Sequence, residues 1–484
     1  MICIYELFGG SMDKFNQILE KIDGFVWGAP LIILILFVGI YFSVRMGFLQ
    51  VRFLPAALRF MFKDEEGEKG EVSSFGALCT SLSATIGTGN IVGVATAIGI
   101  LAGGPGALFW MWIAAFFGMA TKYAEGFLAI KYRNIDENGH VLGGPFYYIE
   151  NGMGKKWKWL GKLFAVFGGL CGLIGIGTFS QVNGISTAVN RVFDPEAKHT
   201  VNILGAEYTV TTVITAVVLT VLVFLVVIGG LKRISSVSTV IVPFMAVLYI
   251  VSIVLIIVTN ISKLPSAVAE VVESAFGIRA FAGGATASMA IAMQKGIARG
   301  IFSNESGLGS APIAAAAARS KDPVRQGLVS MTGTFFDTIV ICTMTGLAIV
   351  MMGSWKNENL EGAQVSIDAF QKGMYFLPEQ VPALILTFSL VFFAFTTILG
   401  WNYYGERCVE YLFNKSKVAI IIYRWLYIIA VFIGPYMTVK AVWTIADIVN
   451  GLMAFPNLIA LISLSPIVIK ETNEYLKNYK KNKK

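Results

Sequence analysis

The chain has 484 residues and a formal net charge of +8; 56% of it is apolar, only 14% is charged, and its mean hydropathy is +0.69. A soluble domain carries roughly 25% charged residues, so this composition excludes a water-facing globular protein and predicts an all-α integral membrane protein, since lipid penalises charge. Five cysteines with no CxxC spacing, and two histidines (His140 and His199) in polar loops, exclude a disulfide framework, a zinc site and histidine catalysis.

A spanning helix needs roughly 20 apolar residues. Behind an amphipathic lead-in at 1–24, which is not a cleavable signal, runs of that size fall near 25–44, 74–100, 106–130, 160–191, 210–229, 234–259, 281–318, 326–352, 380–404, 418–436 and 438–469, about eleven spans in all. Two connections read as structured: 145–153 is amphipathic, and 363–378 could form an external helical cap. Most Lys and Arg residues fall in alternate connections and in the basic tail at 471–484. That bias puts the N-terminus outside and the C-terminus in the cytoplasm of a multi-pass plasma (inner) membrane protein. The net positive charge therefore reflects topology, with no nucleic-acid partner implied.

The second span is interrupted at Ser83-Ala84-Thr85-Ile86-Gly87-Thr88-Gly89-Asn90. Glycines beside Thr and Asn continue a helix poorly, and backbone groups freed in hydrocarbon need partners. A ligand can be that partner: N–H groups opening the second half-helix suit a carboxylate, and carbonyls closing the first half suit a cation. Close helix packing is the plainer reading of the same glycines. A comparable stretch in the seventh span begins at Gln294-Lys295-Gly296 and runs through Phe302-Ser303-Asn304-Glu305-Ser306-Gly307-Leu308-Gly309-Ser310-Ala311-Pro312. The two interruptions open sets of five helices that run in opposite directions. Paired discontinuous helices in inverted halves point to a transporter's midplane site. The domains read as 1–72 (lead-in, first helix and loop), 73–262 and 263–470 (the five-helix halves), and the tail.

Other polar insertions read more than one way. Gln181 and Asn183 line a pocket or tie helices together. Lys122 and Glu125, three apart on one helix, form a structural pair or a proton relay. Asp337 is a functional candidate as an intramembrane carboxylate, or half of a buried salt bridge. Arg299 and Glu305 belong to a gate or a static network. Trp110, Trp112 and Trp401 read as interface or packing residues.

Three longer stretches carry a resemblance. Gly103-Gly104-Pro105-Gly106-Ala107-Leu108-Phe109-Trp110-Met111-Trp112, Arg299-Gly300 through Ala311-Pro312, and Gly400-Trp401-Asn402-Tyr403-Tyr404-Gly405-Glu406 resemble hallmarks of the sodium:alanine symporter family, also called alanine or glycine:cation symporters. The resemblance spans nearly the whole chain. It implies a leucine-transporter-type fold, one extra N-terminal helix before a 5+5 inverted repeat, and symport of alanine or glycine with sodium. Gly87-Thr88-Gly89-Asn90 is also similar to the G-x-G-N of neurotransmitter:sodium symporters. That likeness implies that the Thr88 and Gly89 amides hold the substrate carboxylate. It further implies that the Asn90 side chain and the Thr85 carbonyl bind one sodium. A second sodium would lie on the Ser83 and Ile86 carbonyls with the Thr396 and Thr397 hydroxyls. Thr85, Gly87, Thr88, Gly89, Gln181, Gly296, Phe302, Ser303 and Asn304 are the candidate substrate residues.

The reading is a secondary active transporter with sodium as coupling ion, no other cofactor and lipid as its surroundings. An ion-independent exchanger or a proton-coupled symporter of the same fold is the rival. A membrane enzyme would need a nucleophile–base or metal set such as HExxH or GxSxG, and none is present.

Overall fold

The computed structural model describes residues 16–63, 70–100, 102–203, 206–277, 287–437 and 439–481. Most of the lead-in at 1–24, the first residues of the seventh expected span and the end of the tail lie outside them.

In chain order, α1 (Asn16–Arg45) is followed by the short α2 (Leu49–Arg52) and α3 (Leu54–Phe60). Next come α4 (Ser74–Thr85) and α5 (Val92–Ile98), joined by a single 3-10 turn over Thr88–Asn90 and bent by 63°. Then α6 (Gly106–Lys131), a hairpin of β1 (Asn134–Ile135) and β2 (Val141–Leu142), α7 (Pro145–Gly152), α8 (Lys158–Ile174) and α9 (Phe179–Phe193) lead to a second hairpin, β3 (Thr200–Ile203) with β4 (Ala206–Thr209). After α10 (Val210–Val227), α11 (Gly230–Thr259) and α12 (Leu264–Ala275) come α13 (Ala287–Asn304) and α14 (Ala311–Ala316), the halves of the second interrupted helix. The chain ends with α15 (Pro323–Met352), α16 (Ala363–Gly373), α17 (Gln380–Leu412), α18 (Lys417–Ile433) and α19 (Val439–Lys481).

Among the described residues nine helices are long and apolar enough to cross a membrane, or ten with the bent α4–α5 pair as one. The span expected at 281–318 is not counted, because α13 carries Gln294, Lys295 and Arg299. Such groups are costly against lipid; Gln294 and Lys295 are exposed on the first half of α13, while its second half packs along α6, with Ile297, Ile301 and Phe302 buried.

The outer helices show the opposite pattern. In α10 and α11, Val217, Val221, Leu225, Phe244, Val247 and Val251 are exposed. Apolar faces this extensive belong against hydrocarbon. Hence α10 and the later turns of α11 are apolar on their outward faces, while α6, buried along most of its length, is crowded with Gly and Ala that let neighbours approach. The interrupted helices α4–α5 and α13–α14 sit inside, between α6, α15 and α17.

Three local features depart from the sequence reading. The span expected at 160–191 is itself interrupted over 175–178, where Gly175 and Gly177 separate α8 from α9. In α15, residues Phe335–Cys342 form a wide π-helical turn. The second interruption is shorter than expected: α13 runs unbroken through Gly296 and Gly300 to Asn304, so the chain unwinds only over 305–310. Helices do form at 145–152, as its amphipathic pattern predicts, and at 363–373, within the stretch expected as a helical cap.

Candidate functional site

The first interruption begins where α4 ends at Thr85. Ile86 takes an extended conformation, and the chain re-enters a helix only at Val92. The Gly87 N–H is taken by Asn90 Oδ1 at 2.9 Å, and the Thr88 N–H by Gln181 Oε1 at 3.1 Å. Gln181 itself is held by donation to the Ile176 carbonyl at 3.0 Å, which is how the α8–α9 interruption aims it at the turn. Thr88 Oγ1 is buried without a hydrogen-bond partner. A Cβ on Gly87 would lie 2.6 Å from Thr397 Oγ1 and 3.0 Å from Gln181 Oε1, so only glycine fits there. At Gly89 a Cβ would meet Phe302 and the Ser303 Cα no closer than 3.6 Å, an ordinary contact. Of the two, Gly87 is the confined position.

Thr397 on α17 donates to the Ile86 carbonyl at 3.2 Å and to the Phe393 carbonyl at 3.0 Å. Its neighbour Thr396 points elsewhere, bonding the Phe392 and Phe393 carbonyls of its own helix and reaching Met245 Sδ at 3.5 Å. The hydroxyl pair expected from the sequence is thus split. Consecutive helical residues are 100° apart, and only one faces the turn. The Ser83 and Thr85 hydroxyls also turn back on their own helix, to Thr80 and to Ser81 and Leu82, so only their backbone carbonyls could take part.

On the other side of the turn, Asn90 Nδ2 donates to Asp337 Oδ1 at 2.7 Å. Asp337, fully buried, also accepts from Ser303 Oγ at 2.9 Å and Thr338 Oγ1 at 2.7 Å, and Asn304 Nδ2 reaches Thr338 Oγ1 at 3.0 Å. Among the described residues, the side chains bonded to this carboxylate are all neutral and it forms no salt bridge, its alternative reading; Lys122 acts on it only at longer range. The wide π-helical turn aims it inward, a common use of such turns. Two strands of the sequence reading meet here: Asn90 from the first interrupted helix, and Ser303 and Asn304 from the second. Gly296 is elsewhere, its Cβ position 2.2 Å from the Ala107 carbonyl, where its small size lets α13 close on α6. In this arrangement it serves helix packing.

The second interruption is satisfied differently. Lys122 and Glu125 do not bond each other; they serve opposite ends of the gap. Lys122 Nζ donates to the Asn304 carbonyl, closing α13, at 2.8 Å. Glu125 accepts the Gly309 N–H at 3.0 Å and Asn457 Nδ2 at 2.7 Å, and Asn457 also reaches the Gly307 carbonyl at 2.9 Å. A cation on freed carbonyls and an anion on freed amides is the pairing that backbone dipoles favour. Gly307 and Gly309 have φ of +88° and +82°, conformations open to glycine. Glu305, at φ +56°, accepts from Ser310 Oγ and from Trp401 Nε1 at 3.1 Å. Trp401 is therefore fully buried and hydrogen-bonded, not an interface residue. Trp110 and Trp112 donate to the Ala275 carbonyl and to Thr343 Oγ1.

On α13, Arg299 pairs with Asp447 through two bonds, at 3.2 and 3.1 Å, and stacks 5.3 Å from the centre of the Phe302 ring. Asn183 donates to the Met437 carbonyl, and so ties helices together. Sequence reasoning missed Gln181's occupation of the Thr88 amide and the division of labour between Lys122 and Glu125. The glycines of the fourth span and the position of an intramembrane Lys–Glu pair opposite an interruption were the available signals.

Comparison with known proteins supplies the family. A profile of the sodium:alanine symporter family matches residues 12–484. The chain is 45% identical over 478 residues to "Sodium/alanine symporter AgcS" of Methanococcus maripaludis, covering 97% of this chain and 99% of that one. It is 54% identical over 468 residues to an uncharacterised transporter of Haemophilus influenzae, covering 96% and 97%. It is 38% identical over 475 residues to "Probable sodium/glutamine symporter GlnT" of Bacillus subtilis, covering 97% and 93%. Among solved structures, the crystal structure of MhsT in complex with L-phenylalanine superposes with a TM-score of 0.53 at 14% identity, over 84% of this chain and 99% of that one, which shows the shared leucine-transporter-type fold. With a multi-span helical membrane fold and a family match over nearly its whole length, the chain belongs to the sodium:alanine symporter family.

Proposed function

We propose that this transporter carries alanine or glycine together with sodium by alternating access, with its N-terminus outside and its basic tail in the cytoplasm. The observation that carries the reading is the Ile86–Asn90 turn. Its freed backbone groups are held by neutral side chains, Gln181, Asn90 and Thr397, which a ligand can replace at little cost, while the carboxylate of Asp337 lies beside it among neutral donors. A buried carboxylate bonded directly only to neutral groups is favoured by a bound cation.

In this reading the substrate carboxylate takes the Thr88 amide from Gln181 and shares the Gly89 amide. One sodium lies on Asp337, with the Asn90 and Ser303 side chains and the Thr85 carbonyl. A second lies on the Ile86 and Ser83 carbonyls with Thr397. Hard cations prefer such oxygen ligands. Phe302 and Ser303, in ordinary contact range of a Cβ at Gly89, leave little room for a long side chain and favour a small amino acid. The relative named a sodium/alanine symporter, at 45% identity, supports alanine over the glutamine in the name of the 38% relative. The halves 73–262 and 263–470 act as the inverted repeats that exchange access.

The test is uptake of labelled alanine into proteoliposomes with an inward sodium gradient, with potassium in its place, and with a proton gradient alone. Uptake above equilibrium only with sodium is expected, with glycine competing and alaninamide and leucine not. Equal uptake without any gradient would make the chain an exchanger, and accumulation on a proton gradient alone would make the proton its coupling ion. Competition by alaninamide as strong as by alanine would move the carboxylate site off the Thr88–Gly89 turn.

A further inference from the structure

We infer that His140 pins a latch on the cytoplasmic face that holds the inner ends of both interrupted helices shut against α17, so that releasing it is a step in opening inward; this rests on the alternating-access reading above. The inner ends of the two helices are joined directly. The Glu71 and Val72 N–H groups donate to the Ala317 carbonyl, and the Arg319 N–H donates to Val72, a short parallel bridge between the segment entering α4 and the segment leaving α14. Arg133 fastens that bridge to the end of α6 by donating to the carbonyls of Ala316, Ala318 and Ser320 at 2.5, 2.7 and 2.6 Å.

His140 connects this assembly to α17. Its Nδ1 lies 2.8 Å from Glu71 Oε1, beside the bridge, and its Nε2 lies 2.8 Å from Glu410 Oε1. The Val141 N–H adds a further bond to Glu71 Oε1 at 2.7 Å. Glu410 Oε2 binds Arg407 at 2.7 Å, and Arg407 in turn meets Glu406, which Arg424 on α18 grips with two bonds of 2.7 Å. With the ring charged, His140, Arg407 and Arg424 balance Glu71, Glu406 and Glu410 one for one. Arg407 Nη1 also lies 2.7 Å from His140 Nε2; with the ring neutral and Nδ1–H kept on Glu71, Nε2 accepts from Arg407, its donated bond to Glu410 is lost, and the group carries an uncompensated carboxylate. The two ring nitrogens face opposite ways and donate to both carboxylates only while the ring is charged, which is why the latch depends on its protonation.

Among the described residues, the charged and titratable groups around the ring include Glu71 before α4, Asp136 on its own hairpin, and Tyr403, Arg407, Glu406 and Glu410 on α17. Beyond these lie Arg424 on α18, and Tyr147, Glu150 and Lys415 around Glu410. Hydrogen bonds to Glu410 and then Glu71 raise the ring to about 9, against burial and Arg407, which lower it. Burial alone would raise Glu71, but the bonds from His140 and Val141 hold it below its ordinary value. A raised histidine contributes fully below its unperturbed value of 6.5 and loses its contribution as pH climbs through about 9. The latch therefore weakens on the alkaline side.

The test reads access to the bridge. Ser320, 1% exposed and beside Ala318, is replaced by cysteine (Ser320→Cys) in the full chain. Maleimide modification at that site is followed by mass spectrometry and divided by the rate for free cysteine at each pH. At about pH 7, adding His140→Gln is expected to raise the corrected rate roughly tenfold, the effect of losing one charge-assisted bond, and Glu410→Gln should match it. Raising the pH to about 10 should bring the His140 protein up to the His140→Gln rate, while His140→Arg, which stays charged, should remain slow. Equal corrected rates for His140 and His140→Gln at neutral pH, or a flat corrected rate for the His140 protein across that range, overturn the latch. Because the signal is accessibility and not uptake, the two proposals fail separately. A chain that labels as expected but carries no alanine with sodium keeps the latch and loses the substrate assignment. A sodium–alanine symporter with flat labelling loses the latch alone.

Discussion

The two interrupted helices solve the same problem with different chemistry. Each frees backbone N–H and C=O groups deep in the protein, where leaving them unpaired is costly. At the first interruption the partners are neutral: Asn90 on the Gly87 amide, Gln181 on the Thr88 amide, Thr397 on the Ile86 carbonyl. At the second they include buried charges: Lys122 on the Asn304 carbonyl and Glu125 on the Gly309 amide. A neutral hydrogen bond contributes about 0.5–1.5 kcal/mol and can be exchanged for one to a ligand, whereas a charged bond contributes about 1.5–3 kcal/mol. Stripping a buried charge of its partner costs about 3–5 kcal/mol. The difference separates exchangeable neutral partners, a lining, from partners fixed by burial, a joint; in the function proposed above, the first interruption takes the ligand and the second keeps the chain continuous.

The largest effect should come from breaking the joint. Lys122→Met leaves the Asn304 carbonyl without its donor and Glu125 and Glu305 without the neighbouring cation. A stability loss of about 3–5 kcal/mol is expected, read as a lower unfolding temperature in detergent whether or not alanine is present. If Lys122→Met unfolds like the parent chain but fails to bind substrate, the contrast between joint and lining is wrong.

At the first interruption the effect should be on binding. Gly87→Ala puts a Cβ 2.6 Å from Thr397 Oγ1 and 3.0 Å from Gln181 Oε1, whereas Gly89→Ala meets only ordinary contacts. Loss of alanine binding by one to two powers of ten is expected for Gly87→Ala, equivalent to about 1.4–2.8 kcal/mol, with near-parental unfolding. Gly89→Ala should lose less. Equilibrium binding of labelled alanine distinguishes the two, and the reverse order would place the ligand nearer Phe302 than Thr397.

A smaller and sharper difference separates neighbours on α17. Thr397→Ala removes the hydroxyl that faces the Ile86 carbonyl and should raise the sodium concentration for half-maximal uptake several-fold, at about 1 kcal/mol for one ligand-like bond. Thr396→Ala removes a hydroxyl that bonds its own helix and should leave sodium dependence nearly unchanged. Equal shifts for both would restore the paired-hydroxyl reading.

The split between Thr396 and Thr397 also shows what the linear pattern conceals. A run of two hydroxyls looks like a pair, but the rotation between adjacent helical positions sends them to different surroundings. Lys122 and Glu125 show the converse. Spaced three apart they look like partners, yet each finds a stronger demand across the gap in another helix. The second interruption starts later than the sequence suggests for a related reason. Gly296 and Gly300 weaken a helix by propensity, but close packing against α6 and the Ala107 carbonyl keeps that helix intact.

What the sequence determined by itself follows from short-range physics. Charge is expensive in lipid, so length and apolarity place the spans. Glycine, threonine and asparagine in mid-membrane mark where the first helix stops, and long shared motifs carry the family. Tertiary structure alone decided which freed backbone group each polar side chain serves, because Gln181, Asp337, Glu125 and His140 meet their partners from distant parts of the chain. It also decided whether each interruption is closed by neutral bonds that a ligand can displace or by charges held in place once buried.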